Sequence, residues 1–186
     1  QIMTPEQFPR VAQLPTYVFN ALHEMRDERI RQGKPVFDFG MGNPDLPAAA
    51  HVIAALKAEI DAPGAHRYSV SAGIEPLRQA FSEFYRRRLG VSLDAAHEVV
   101  VTLGVKEGLA HLLQAMLSPG DAVLVPSPYY PIHYYGVILA AATPVLLPFP
   151  VGHANFEEEL FARIEKLGEQ HRPKALILSF PHNPTT

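Results

Sequence analysis

The sequence has no cysteine among its 186 residues. That removes disulfide bonds and thiolate chemistry and leaves the redox compartment open. Charge of one sign is also lacking. Acidic and basic side chains nearly balance, for a formal charge of −3, so nothing electrostatic points to nucleic acid or an anionic membrane as partner. The one basic cluster, Arg86-Arg87-Arg88, stands at the end of a predicted helix, where cations suit the dipole and a solvated face accounts for them. Val137 to Ala142 falls far short of the roughly 20 apolar residues that cross a bilayer. No signal-peptide pattern is found, and a cytoplasmic protein is the expectation. The nine histidines include no i, i+4 pair framing a glutamate, so no metal site is expected.

What is present is a soluble composition, 47% apolar and 19% charged, with length enough for one sizeable core. The eighteen prolines cluster at element ends, as in Pro126, Pro128 and Pro131, and read as loop punctuation. No internal repeat is found.

The chain is organised around Val99-Val100-Val101-Thr102-Leu103-Gly104-Val105-Lys106-Glu107-Gly108-Leu109. The valine run predicts a strand over Val99–Thr102, buried on both faces. The apolar positions Val105, Leu109, Leu112, Leu113 and Met116 predict one face of a helix over Val105–Leu117. A glycine at the junction lets main-chain N–H groups point outward together at the positive end of the helix dipole, which makes an anion site.

The chain begins with an extended arm over Gln1–Pro15. Helices are then expected over Val18–Arg31, Ala48–Ile60 and Ile74–Leu89, each with an inward apolar stripe, and a short strand over Val36–Phe39. Beyond residue 98, strands Ala122–Val125, Val145–Leu147 and Ala175–Phe180 alternate with helices Ile132–Ala142 and Phe156–Glu169. That order predicts an α/β fold, a mostly parallel sheet with helices on both faces and Ala175–Leu178 as a central strand. Ligands of such sheets bind beyond the carboxyl ends of the strands. Three loops lie there: Gly104–Glu107 offers an anion site, Ser127–Pro131 carries Tyr129 and Tyr130 between prolines, and Pro181–Thr186 places the Asn183 amide. Singly, each has a bland reading as a connection, loop packing or a turn. Together they suit a flat aromatic ring bearing a phosphate and a hydroxyl.

Gly42-Asn43-Pro44-Asp45, Tyr68-Ser69 through Gly73 to Leu77-Arg78, Thr102-Leu103-Gly104 to Leu109, Tyr130-Pro131 and Asn183-Pro184-Thr185 occur in one order and spacing. In this the chain resembles the amino-terminal half of a fold-type I aminotransferase that uses pyridoxal 5′-phosphate. Tyr17-Val18-Phe19, Lys106 to His111 and Tyr130-Pro131-Ile132-His133 are most similar to its alanine and diaminopimelate aminotransferase-like branch. The resemblance implies an arm and small-domain segment over 1–45 and a cofactor-binding large domain over 46–186, incomplete at its carboxyl end. It implies that Gly104, Val105 and Lys106 bind the cofactor phosphate, although many relatives have serine where Val105 stands. It further implies that Tyr130 stacks on the pyridine ring, with Tyr129 a lesser substitute, and that Asn183 bonds the ring oxygen. Gly42 would approach the substrate carboxylate, and Tyr68 would reach across a homodimer interface to the other subunit's phosphate.

The implied activity moves an amino group from an alanine-like donor to a 2-oxo acid, with 2-oxoglutarate a plausible acceptor. The Schiff-base lysine that such catalysis needs is expected beyond Thr186. None of Lys34, Lys57, Lys106, Lys166 and Lys174 has a serine three places before it. The aspartate for the ring nitrogen and the arginine for the substrate carboxylate are expected there too, so this chain alone should not catalyse. A lyase or decarboxylase of the same fold is one alternative, and a non-catalytic α/β module for a phosphorylated ligand or a partner is another.

Overall fold

A computed structural model describes residues 7–40, 42, 44–68 and 70–186. Its described elements are α1 (Val18–Arg31), α2 (Ala50–Ile60), α3 (Glu75–Leu89), α4 (Val105–Met116), β1 (Ala122–Ser127), α5 (Pro131–Leu139), β2 (Thr143–Pro148), α6 (Phe156–His171) and β3 (Ala175–Leu176). They fall into two compact units, one made of residues 1–14 and 100–186 and the other of residues 15–99.

The first unit is the α/β layer. Its three strands are parallel in the order β2-β1-β3, which two helical crossovers produce. Two hydrophobic cores flank the sheet. Val123 and Val125 meet Leu113 and Leu117 from α4 and its end, and Val137 and Ala140 from α5. On the second core, Leu147 and Phe149 pack with Leu160 of α6 and with Leu176. Helices therefore cover both faces, as expected. β1 is the central strand and is buried from Val123 to Pro126.

Three strand expectations need correction. Val99–Thr102 is not a strand, and Val100 is 70% exposed. A β-branched run becomes a strand only where a neighbour completes its ladder, and no described strand pairs with Val99–Thr102. Ala175–Phe180 pairs as a strand only over Ala175–Leu176. It lies at the edge of the sheet among the described residues, with one further main-chain bond from Ile177 N–H to the Leu124 carbonyl at 3.0 Å. Val36–Phe39 forms no strand either, and Phe37 and Phe39 are exposed.

The second unit carries α1, α2 and α3. Their bounds match the periodicity to within two residues, yet none of the three has a buried residue. The expected inward stripes, such as Val52, Ile53, Leu56 and Ile60, are exposed. Periodicity decides which residues share a face, whereas burial needs a surface to cover it. Side-chain bonds hold the unit locally. Arg26 bridges α1 to Asp38 at 3.4 Å, and Asp38 also accepts the Gly40 N–H at 2.9 Å. That main-chain bond first, and Arg26 second, hold the Asp38 carboxyl below its usual range. Arg78 donates to the carbonyls of Gly73, Ala95 and Ala96 at 3.2, 2.7 and 3.2 Å.

The described part of the arm is not extended. It is a run of turns, with Ala12 N–H donating to the Phe8 carbonyl at 2.9 Å. Arg10 donates to the Leu139 carbonyl in the last turn of α5 at 3.0 Å, where helix carbonyls lack internal partners.

Candidate functional site

The junction ahead of α4 folds for local reasons. Gly104 is the N-cap with φ 89° and ψ 162°, a conformation that L side chains rarely adopt. Its N–H reaches the Thr102 carbonyl at 2.9 Å, and the Thr102 hydroxyl donates to the Gly104 carbonyl at 2.9 Å. A Cβ at Gly108 would come 3.0 Å from that hydroxyl oxygen, so glycine there admits Thr102. Glu107 turns back to accept the Leu103 N–H, one residue ahead of the N-cap. No side chain caps the helix at Gly104, and the space around its Cα is open. Glu107 brings negative charge near this end, and the Lys106 ammonium offsets it.

Val105 is 80% exposed, a departure from the expected helix stripe. Only Leu109 and Leu113 of that stripe join the core, together with Leu117. The strand-side reading of the junction therefore fails while the helix-side reading stands.

The second loop follows β1. Tyr130 is the N-cap of α5, with Pro131 in the first turn, a position that suits proline's fixed φ. Tyr129 stacks on Tyr134 at 4.6 Å with planes 9° apart, and burial raises its hydroxyl pKa. Its ring is committed to packing, which leaves Tyr130 as the available aromatic. Lys106 joins the two loops: its Nζ lies 5.3 Å from the Tyr130 ring centroid.

The third loop follows β3. Asn183 is exposed while His182 is 3% exposed. The His182 ring lies 4.3 Å from that of Phe149, and Phe149 N–H donates to the Ser127 carbonyl at 2.9 Å. The loop after β3 is thereby tied to the carboxyl ends of β1 and β2.

Two histidines to which the motifs assign no role lie here. His133, in the first turn of α5, is 7% exposed and meets Tyr130 edge-on at 5.6 Å. Its Nδ1 and the Nε2 of His182 are buried without hydrogen-bond partners among the described residues. Burial, and next the proximity of His182, lower the His133 pKa from 6.5, and burial lowers that of His182. In both, burial favours the neutral imidazole. The available signal was position, since each histidine adjoins a motif residue.

Gly42 and Tyr68 belong to the second unit. Gly42 has open space around it, and Tyr68 is fully exposed. Arg78 fixes the end of the Tyr68 loop through the Gly73 carbonyl. The expectations on Asn43 and Ser69 lie outside the described residues. No cluster of metal-ligating side chains occurs among the described residues. No described helix is long and apolar enough to cross a membrane.

The donor set of the first unit thus has an open helix N-terminus, a cation beside a half-buried aromatic ring, and an exposed amide. That chemistry fits a flat phosphorylated aromatic.

Comparisons with known proteins point to one family. Residues 34–186 match the family model described as aminotransferase class I and II. The glutamate-pyruvate aminotransferase AlaC of Escherichia coli is 44% identical over 182 residues, which are 97% of this chain and 43% of that protein. The LL-diaminopimelate aminotransferase of Desulforudis audaxviator is 39% identical over 176 residues, 95% of this chain and 44% of that one. A mutant aspartate aminotransferase of Thermus thermophilus superposes with a TM-score of 0.82 at 30% identity, covering 100% of this chain and 46% of the other. The aspartate aminotransferase of Rhizobium meliloti gives 0.81 at 26% identity, covering 99% and 44%. The chain spans less than half the length of these relatives.

Proposed function

The chain belongs to the class I and II aminotransferases, and from that premise we propose that it binds pyridoxal 5′-phosphate and forms part of an enzyme that transfers amino groups. The observation that carries this reading is the Lys106 ammonium 5.3 Å from the Tyr130 ring, which joins an anion-binding helix end to an aromatic face.

In this reading the main-chain N–H groups of Gly104, Val105 and Lys106 hold the phosphate, aided by the α4 dipole. Lys106 offsets its charge and steadies Tyr130, Tyr130 stacks on the pyridine ring, and the Asn183 amide donates to the ring oxygen. When bound, the cofactor supplies the electron sink for amino transfer. Gly42 admits the substrate carboxylate. Tyr68 reaches the phosphate of a second copy in a homodimer, a role that its full exposure supports. The arm and small-domain segment over 1–45, the large domain over 46–186 and a cytoplasmic setting belong to the same proposal.

An alanine-like donor with 2-oxoglutarate as acceptor is the reaction we favour. The relative named glutamate-pyruvate aminotransferase supports it, because amino exchange between glutamate and pyruvate yields 2-oxoglutarate and alanine. Relatives named LL-diaminopimelate aminotransferase make diaminopimelate the donor to assay beside it.

The test compares residues 1–186 with a longer protein that continues through a downstream lysine. Each is incubated with the cofactor, reduced with borohydride, mapped by mass spectrometry, and assayed with both donors. The longer protein is expected to show one modified lysine and turnover. Residues 1–186 are expected to show neither. A single stoichiometric adduct on Lys106, or turnover by residues 1–186, would overturn the assignment. A longer protein with no modified lysine would favour a non-catalytic module, and modification without amino transfer would favour a lyase.

A further inference from the structure

We propose that His182 is a positioning residue: its imidazole, buried against Phe149 and bonded to the Thr185 hydroxyl, sets the direction of the Asn183 amide. The inference rests on the reading that Asn183 contacts the cofactor ring oxygen, and it adds a residue that the motif itself does not single out.

The loop after β3 has few ways to hold itself. Only Ala175–Leu176 is paired as a strand, and Phe180 and Asn183 are both exposed. His182 anchors this loop in three ways. Its ring lies 4.3 Å from Phe149, tilted by 40°. Its Nδ1 lies 2.7 Å from Thr185 Oγ1. Its carbonyl accepts the Thr186 N–H at 2.5 Å. The last two contacts close the same turn, once through the side chain and once through the main chain, and Asn183 and Pro184 lie between their ends.

Phe149 is itself a fixed platform. It is buried, stacks on Phe180 at 5.8 Å with planes 12° apart, and meets Phe156 edge-on at 5.9 Å. Its N–H bonds to Ser127 at the end of the central strand. The path from sheet to amide therefore runs Ser127, Phe149, His182, Asn183. A main-chain rotation at residue 182 would swing the neighbouring amide away from any ligand in front of it. Orientation errors of this kind weaken a hydrogen bond steeply, without unfolding the sheet behind it.

Two ligands separate orientation from simple structural support. Pyridoxal 5′-phosphate can accept a bond from Asn183 at its ring oxygen, whereas the analogue methylated at that oxygen cannot receive the same contact. Affinities of the full chain for both are measured by absorbance titration, with circular dichroism confirming that each variant folds. His182→Phe and Thr185→Val are expected to weaken cofactor binding about fivefold, the scale of one hydrogen bond. Both should leave the analogue within about twofold. His182→Asn, which can still bond Thr185, is expected to restore much of the loss. Asn183→Ala should cost as much as His182→Phe, and the pair together should cost no more than either.

Equal weakening toward both ligands, additivity with Asn183→Ala, or an unchanged cofactor affinity would each overturn the proposal. Should His182→Phe fail to fold, Thr185→Val carries the same test. A wild-type chain that binds cofactor and analogue equally would instead remove the Asn183 contact, and this inference with it. A chain that binds neither would sink the cofactor reading itself.

Discussion

The Nζ of Lys106 stands 5.3 Å from the centroid of the Tyr130 ring, so two loops 24 positions apart in sequence share one electrostatic contact. Lys106 belongs to the first turn of α4 and Tyr130 caps α5. The contact orients an aromatic face beside a helix N-terminus.

Lys106→Met is therefore expected to weaken cofactor binding by about two- to fivefold through Tyr130 alone, since an exposed cation–π contact contributes about 0.5–1 kcal/mol. The remaining affinity should also depend less on ionic strength, because one charge facing the phosphate is gone. Tyr130→Phe keeps the ring face and should bind nearly as the parent does. Tyr130→Ala should not. Titrations at low and high salt measure all three, and a Lys106→Met protein with parental affinity and salt dependence would count against the arrangement.

Tyr68→Phe tests whether the site is shared between copies. In the longer protein this change is expected to lower cofactor retention by one hydrogen bond, about 0.5–1.5 kcal/mol, or more toward a charged phosphate. Thermal stability should hold, because the side chain is fully exposed. Gel filtration and cofactor release are the measurements. A proven dimer with unchanged retention would remove Tyr68 from the site.

His133 and His182 make stability depend on pH. Burial holds both below the ordinary 6.5, so the unfolded chain takes up protons at a higher pH than the folded one. Their contribution is full above about pH 6.5 and is lost as pH falls toward the folded-state values. Urea unfolding between pH 8 and pH 5 should show midpoints falling below pH 6.5. The slope should flatten in a His133→Phe, His182→Phe double variant. A steep loss that persists in that variant would place the titrating groups elsewhere.

Arg172 offers a stabilising change. It ends α6 in the left-handed region, with φ 46° and ψ 55°, which costs a residue bearing Cβ about 1–2 kcal/mol. Arg172→Gly relieves that strain and gives back part of the gain as unfolded-chain entropy. The expected net stabilisation is about 0.5–1 kcal/mol, read as a higher urea midpoint at unchanged slope. A lower midpoint would show that the arginine side chain contributes more than the strain removes.

Local pattern determined the helices. Val18–Arg31 is found at its expected bounds, and the others start or stop within three residues, because a 3.6-residue period and its end signals are properties of neighbouring residues. The α/β class and the sheet's parallel strands followed from alternation. The three loops of the proposed site were also marked by local signals, glycine ahead of a helix, tyrosine beside proline and Asn-Pro. Tertiary structure decided what had a partner. The valine run at 99–101 has the residues of a buried strand and pairs with no described strand, and Ala175–Leu178, expected at the centre of the sheet, lies at its edge among the described residues. Whether Tyr129 or Tyr130 remained available depended on Tyr134 stacking on the former. His133 and His182 acquired their character only when packing removed water from their rings. A residue's conformation is chosen largely by its sequence neighbours, whereas its partners, burial and protonation are chosen by residues that only the fold brings near.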